Sequence, residues 1–155
     1  MAFNIKEFWR PKEFWGVDGK YKELTQTYGE GEVILREGDT SKEMYIIHEG
    51  EVRVTKMIAG KETVLGTMGR GDFFGEMSLL ESEARTATIV AIIPTKCLVI
   101  QAGGLLVRLR RDPTFAFEML QKMSARIRNM TEKLGEVLTD RQKSDLAKVE
   151  NLTLD

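Results

Sequence analysis

The residues best suited to chemistry lie in one short stretch, Gly71-Asp72-Phe73-Phe74-Gly75-Glu76-Met77-Ser78-Leu79-Leu80, followed by Glu81-Ser82-Glu83-Ala84 and Arg85-Thr86-Ala87-Thr88-Ile89. A glycine at position 75 lets backbone approach a ligand closely. Glu76 to Leu80 can form a single helical turn, whose leading N–H groups and dipole favour an anion. Arg85 follows a short loop later, expected at the start of the next strand, where its planar fork can grip a phosphate with two parallel bonds. A carboxylate such as Glu76 beside a phosphate needs a separate task, and accepting hydrogen bonds from sugar hydroxyls is one. One arginine, a few amides and one carboxylate suit a singly charged phosphodiester on a ribose. A triphosphate would call for a Gly-Lys-Ser/Thr loop, which this stretch lacks.

The surrounding elements must hold that stretch in place. From Gly29 to Ile100 the sequence runs in short β-branched segments of near period-two alternation: Glu32–Leu35, Met44–Ile47, Glu51–Val54, Thr63–Leu65, Thr86–Val90 and Cys97–Ile100. Glycines and polar turns separate them, as at Gly38-Asp39, Glu49-Gly50 and Ala59-Gly60. Strands at this spacing predict an antiparallel sandwich or barrel, here read as a β-roll. Helix follows. Leu105, Leu106 and Leu109 mark a short one closed by Arg110-Arg111. Asp112-Pro113 then opens a long one, with an aspartate suited to the N-cap and a proline to the first helical position. Along it Leu120, Met123, Ile127, Met130, Leu134 and Val137 recur at alternating spacings of three and four, the seam of a coiled coil. Before the strands, residues 1–28 carry a short duplication, Lys6-Glu7-Phe8-Trp9 and Lys12-Glu13-Phe14-Trp15, read as amphipathic helical turns that pack their aromatics. After the seam, residues 139–155 read as a polar tail, with a capping signal at Thr139 and Gln142.

With these residues in view, the sequence resembles the cyclic nucleotide-binding domain family, whose members include the effector domain of the catabolite activator protein and the regulatory subunits of cyclic-AMP-dependent kinase. Phe74-Gly75-Glu76-Met77-Ser78-Leu79-Leu80 and Arg85-Thr86-Ala87-Thr88-Ile89 match its phosphate-binding cassette. Gly31 before the first expected strand, Gly38-Asp39, Gly50, Gly66 and Gly71 match its supporting glycines, and the likeness covers residues 28–138. The resemblance implies that Gly75, Met77 and Ser78 offer backbone amides, that Glu76 binds the ribose 2′-hydroxyl and that Arg85 pairs with the cyclic phosphate. Thr86 stands where some members touch phosphate or guanine. Ser124 to Gly135 looks like the dimer helix of the activator family, which puts Met130 and Thr131 where purine contacts come from. Many members have a proline just before the arginine. Ala84 stands there instead, which loosens the loop without removing a contact group.

Blander readings compete. Taken alone, Glu76 and Arg85 would be a salt bridge tying a turn to a strand, and the glycine framework is what favours a ligand. His48 and Cys97 invite a haem, but a cysteine inside an apolar strand and a histidine after one read as structural residues. A single cysteine cannot hold an iron–sulfur cluster. The lone histidine has no evident Ser or Asp partner and no metal-ligand spacing, so no enzyme, cofactor or metal is expected. The 155 residues are 42% hydrophobic and 30% charged, with a net charge of −1. That balance fits one globular core and gives no basic excess for nucleic acid. No apolar run reaches membrane-spanning length, no signal peptide is visible, and one unpaired cysteine fits a reducing compartment, so the cytoplasm is expected.

The expectation is therefore a mainly β chain with flanking helices. Its centre is an eight-stranded antiparallel β-roll, of the double-stranded β-helix or jelly-roll kind, over residues 29–138 including the long C-terminal helix. It is expected to sense cyclic AMP or cyclic GMP, with Gly75, Glu76, Met77, Ser78, Arg85, Thr86, Met130 and Thr131 at the ligand. It should dimerise along the long helix and pass the signal to a partner or an output domain by a population shift in which Leu79 and Leu80 reposition that helix. A roll that serves only as a dimerisation scaffold is the alternative.

Overall fold

The computed structural model describes residues 24–152; the aromatic duplication at residues 6–15 lies outside them. The elements run β1 (Leu24–Tyr28), β2 (Val33–Leu35), β3 (Met44–Glu49), β4 (Glu51–Ile58), β5 (Lys61–Gly69), β6 (Phe73–Phe74), α1 (Glu76–Glu81), β7 (Thr88–Ala91), β8 (Thr95–Ile100), α2 (Ala102–Arg111) and α3 (Pro113–Leu152). The strands form two four-stranded sheets, ordered β1-β8-β3-β6 and β2-β7-β4-β5. Every neighbouring pair is antiparallel. This is the eight-stranded roll that the resemblance implies.

Alternation explains the core. Side chains two apart on a strand share a face, so Tyr45 and Ile47 of β3 point the same way, as do Cys97 and Val99 of β8. With Leu35, Val52, Phe74 and Ile89 they form one buried cluster drawn from both sheets. Burying a side chain such as Ile47 contributes about 1.5–3 kcal/mol. The β3–β4 turn depends on Gly50, whose φ is +104°. A Cβ there would lie 2.6 Å from the Thr95 Cα and 2.7 Å from the Pro94 oxygen, so no side chain fits.

Two strands left no mark in the sequence. Leu24-Thr25-Gln26-Thr27-Tyr28 is polar and mostly exposed, yet it pairs residue for residue with β8 from Leu24↔Val99 to Tyr28↔Thr95. The roll therefore starts inside residues 1–28, which the sequence reading gave to helical turns, and Gly31 follows the first strand. The other is β6, only two residues long, fixed by its pairing with β3 and by Phe74 stacked on Tyr45, ring centroids 5.1 Å apart. Conversely, β7 begins at Thr88, so Arg85 and Thr86 precede the strand they were expected to open. Arg85 spends its backbone groups elsewhere: its N–H donates to the Asp39 carbonyl (2.8 Å) and its carbonyl accepts from the Gly38 N–H (2.9 Å).

The chain divides into two compact units, with the boundary between Arg110 and Arg111. In the second unit, Asp112 Oδ1 accepts from the Thr114 and Phe115 amides at 3.1 and 3.2 Å, the expected N-cap. The helix then runs without a break to Leu152. Thr139 does not start a second helix; its hydroxyl donates to the Gly135 carbonyl at 2.9 Å within α3. The expected polar tail is helical as far as Leu152 because its Lys, Arg, Gln, Glu and Leu residues are good helix formers with no proline among them. Leu120, Ile127, Met130, Leu134 and Val137 are all exposed on this single chain.

Candidate functional site

The site begins where β6 ends. Asp72 prepares it: its carboxylate accepts from the Gly69 amide at 3.0 Å, and its carbonyl accepts from the Ile47 N–H at 2.9 Å. The chain leaving β5 is thereby fastened to β3, and Phe73 and Phe74 dock in the core. Gly75 then turns the backbone into α1 with φ +81°, the left-handed region that costs other residues roughly 1–2 kcal/mol. Space is just as restrictive. A Cβ at 75 would sit 2.8 Å from Arg85 Nη1 and 2.8 Å from the Glu43 oxygen. Glycine is required so that Arg85 can lie against the turn.

Arg85 is the centre of the arrangement. Although its side chain is only 2% exposed, no helix or strand holds it. Its Nε donates to Ser41 Oγ at 3.1 Å, Nη1 to the Gly75 carbonyl at 2.9 Å and Nη2 to the Glu43 carbonyl at 2.7 Å. A guanidinium has five N–H donors, so two remain beyond these three bonds. The Glu43 carboxylate stands farther off, 3.7 Å from Nη2 and 35% exposed. Burial lowers the Arg85 pKa from its usual value, while Tyr45, Glu43, Asp39 and Glu76 oppose that shift. Burial followed by the Glu43 charge raises the Tyr45 phenol in turn. The result is a fixed cation with mostly neutral near neighbours, a form suited to a small anion.

The expected site residues divide between the two units. In the first unit Gly75, Glu76, Met77, Ser78, Arg85 and Thr86 come together around α1. Glu76 and Ser78 are buried, and Glu76 is near enough to bear on the Arg85 charge. Met77 is 45% exposed, with its sulfur 4.0 Å from the Thr86 hydroxyl. Met130 and Thr131 belong to the second unit, on α3. Met130 is 69% exposed, and the Thr131 hydroxyl donates to the Ile127 carbonyl at 2.9 Å. Ser41 and Glu43, which sequence reasoning missed, complete the arginine's cradle. Cys97 is fully buried in the core, where burial pushes its thiol up to about 12.

Comparison with known proteins gives a consistent picture. The family model described as the cyclic nucleotide-binding domain matches residues 25–112. The cyclic AMP receptor protein of Thermus thermophilus is 33% identical over 102 residues, which cover 65% of this chain and 47% of that protein. Isozyme 1 of the cGMP-dependent protein kinase of Drosophila melanogaster is 39% identical over 77 residues, 47% of this chain and 10% of the kinase. Among solved structures, the catabolite activator protein of Thermus thermophilus superposes with a TM-score of 0.67 at 30% identity, covering 74% of this chain and 55% of that one. The chain thus matches about half the length of the receptor protein and far less of the kinase.

Proposed function

The chain belongs to the cyclic nucleotide-binding domain family, and from that premise we propose that it senses a 3′,5′-cyclic nucleotide, cyclic AMP or cyclic GMP. The observation that carries this reading is Arg85. It is a buried guanidinium with three of its N–H groups fixed on neutral oxygens, placed against a left-handed glycine turn that opens α1. In the proposed complex its remaining donors meet the cyclic phosphate, with the Gly75, Met77 and Ser78 amides around it. Glu76 accepts from the ribose 2′-hydroxyl, and Thr86 lies beside the phosphate or the base. Met130 and Thr131 of α3 supply purine contacts.

The exposed apolar seam supports the second half of the proposal, a parallel homodimer through α3. An unpartnered stripe from Leu120 to Val137 would expose more apolar surface than a soluble monomer usually carries. Ligand then shifts the populations of two arrangements of α3, and a partner or further domain reads the shift. The domain acts as a regulator rather than an enzyme, in the cytoplasm. Among the described residues no helix is long and apolar enough to cross a membrane.

Calorimetric titration with cyclic AMP and cyclic GMP tests the reading. Saturable binding without turnover supports a sensor. Turnover would make it an enzyme, and no heat with either nucleotide would leave only a scaffold.

A further inference from the structure

We propose that Lys56 is a positioning residue for this site: it latches the β4–β5 hairpin onto the Thr86 carbonyl so that Thr86 can take part in binding. The inference rests on the nucleotide reading above and concerns a residue outside the cassette. Lys56 Nζ donates to the Thr86 carbonyl at 2.6 Å, across a sequence separation of thirty residues. Its ammonium also lies 3.5 Å from Glu37 Oε1. Glu37 is itself fixed, since its other oxygen accepts from the Met57 amide at 2.9 Å and its own N–H donates to Thr88 Oγ1 at 3.0 Å. The turn after β2, the hairpin and the end of the cassette therefore close into one ring of bonds.

The backbone at Thr86 needs such a tie. Arg85 is held on both sides by the Gly38-Asp39 turn, and the β7 ladder starts only at Thr88. Between them, among the described residues, the Lys56 bond is the one backbone tie at Thr86. The Thr86 hydroxyl, 4.0 Å from Met77 Sδ, faces the first turn of α1. Displacing the Thr86 backbone from the hairpin would carry that hydroxyl with it. With side chains 40% and 29% exposed, Lys56 and Glu37 form a pair of small worth to stability. Its effect belongs in placement, and therefore in the binding contribution of Thr86.

A double-mutant cycle separates placement from bulk electrostatics. Lys56→Met, Thr86→Ala and the double variant are titrated with cyclic AMP and with cyclic GMP. For the nucleotide that Thr86→Ala weakens more, Lys56→Met should weaken binding about threefold to tenfold, the scale of one hydrogen bond. The double variant should bind no worse than Thr86→Ala, and Lys56→Arg should restore most of the loss. A readout without nucleotide stands beside it: hydrogen exchange at the Thr88 amide, where the β7 ladder starts, should quicken in Lys56→Met, while the Arg85 amide, bonded to the Asp39 carbonyl, stays protected. Additive losses, wild-type affinity in Lys56→Met, or unchanged exchange would overturn the latch. Wild-type protein that binds neither nucleotide would instead overturn the functional reading, and the exchange result would still decide the latch.

Discussion

Arg85→Ala is the perturbation that tests the site most directly, because the same side chain serves the fold and the proposed ligand. In the fold it makes three hydrogen bonds, to Ser41 Oγ, the Gly75 carbonyl and the Glu43 carbonyl. Bonds from a charged donor are worth roughly 1.5–3 kcal/mol each. Against their sum stands the cost of taking the guanidinium out of water, several kcal/mol for a buried ion. Alanine removes both terms but leaves the two carbonyls without this donor. A net destabilisation of about 2–4 kcal/mol follows, measured by urea unfolding of the nucleotide-free protein. Binding should fall by about 2–5 kcal/mol, roughly thirtyfold to a few thousandfold in affinity. Titration must therefore be run well below the lowered melting temperature. Arg85→Lys refines the test. An ammonium keeps the charge, but a single nitrogen cannot span Ser41, Gly75 and Glu43 and still face a phosphate. Lysine should recover less than half of the lost binding energy. A folded Arg85→Ala variant with wild-type affinity would refute the argument, whatever its stability.

The other predictions follow from neighbouring observations. Gly75→Ala should lose about 1–2 kcal/mol of stability from its positive φ alone, and more from the clash with Arg85 and the Glu43 carbonyl; an unchanged denaturation midpoint would contradict the packing described. Glu76→Gln should weaken binding of the parent nucleotide by about ten- to a hundredfold and of its 2′-deoxy analogue little, whereas equal losses would mean that Glu76 only braces the loop. Ile127→Lys with Leu134→Lys puts like charges into the α3 seam and should give monomers by sedimentation. If the double variant stays dimeric, the seam does not hold the dimer.

How far the site could be read from the sequence depended on which atoms do the work. Gly75, Glu76 and Arg85 were legible because their chemistry lies in their side chains or in the lack of one. The N-cap at Asp112 was legible for the same reason. The Arg85 cradle was not: two of its three acceptors are main-chain carbonyls, which every residue carries, and the third is one hydroxyl in Thr40-Ser41-Lys42-Glu43. Lys56 was hidden likewise, since its partner at Thr86 is a carbonyl thirty residues away. In the fold, the run of β-branched and apolar residues marked strands, β3 and β8 among them although they are buried on both faces. It could not mark β1, whose middle three residues are polar and exposed, nor β6, too short to form such a run. The Thr139 signal misled because a threonine that starts a helix and one that bonds back to the preceding turn look alike in sequence.

On the proposed reading, the arginine's surroundings would hold it ready for a phosphate. A buried guanidinium needs partners, and the cheapest in Coulomb terms would be a close carboxylate. At 4 Å and an effective dielectric of 20, such a pair interacts by about 4 kcal/mol. A phosphate would then have to displace that carboxylate and give back its energy. Here the nearest atoms are instead neutral, at 2.7 to 3.1 Å. The carboxylate that forms an ion pair with it, Glu43, is 3.7 Å away and a third exposed, where water screens it, and the Asp39 and Glu76 carboxylates also bear on its charge. The side chain is thus ordered before binding, which removes part of the entropy that a ligand would otherwise have to overcome, while most of its charge stays available. Ordering by neutral oxygens has a consequence for variants. A substitution that brings a carboxylate into hydrogen-bonding range of Arg85, such as Ser41→Asp, should raise the stability of the nucleotide-free protein and lower its affinity, because the new carboxylate competes with the phosphate for the same cation.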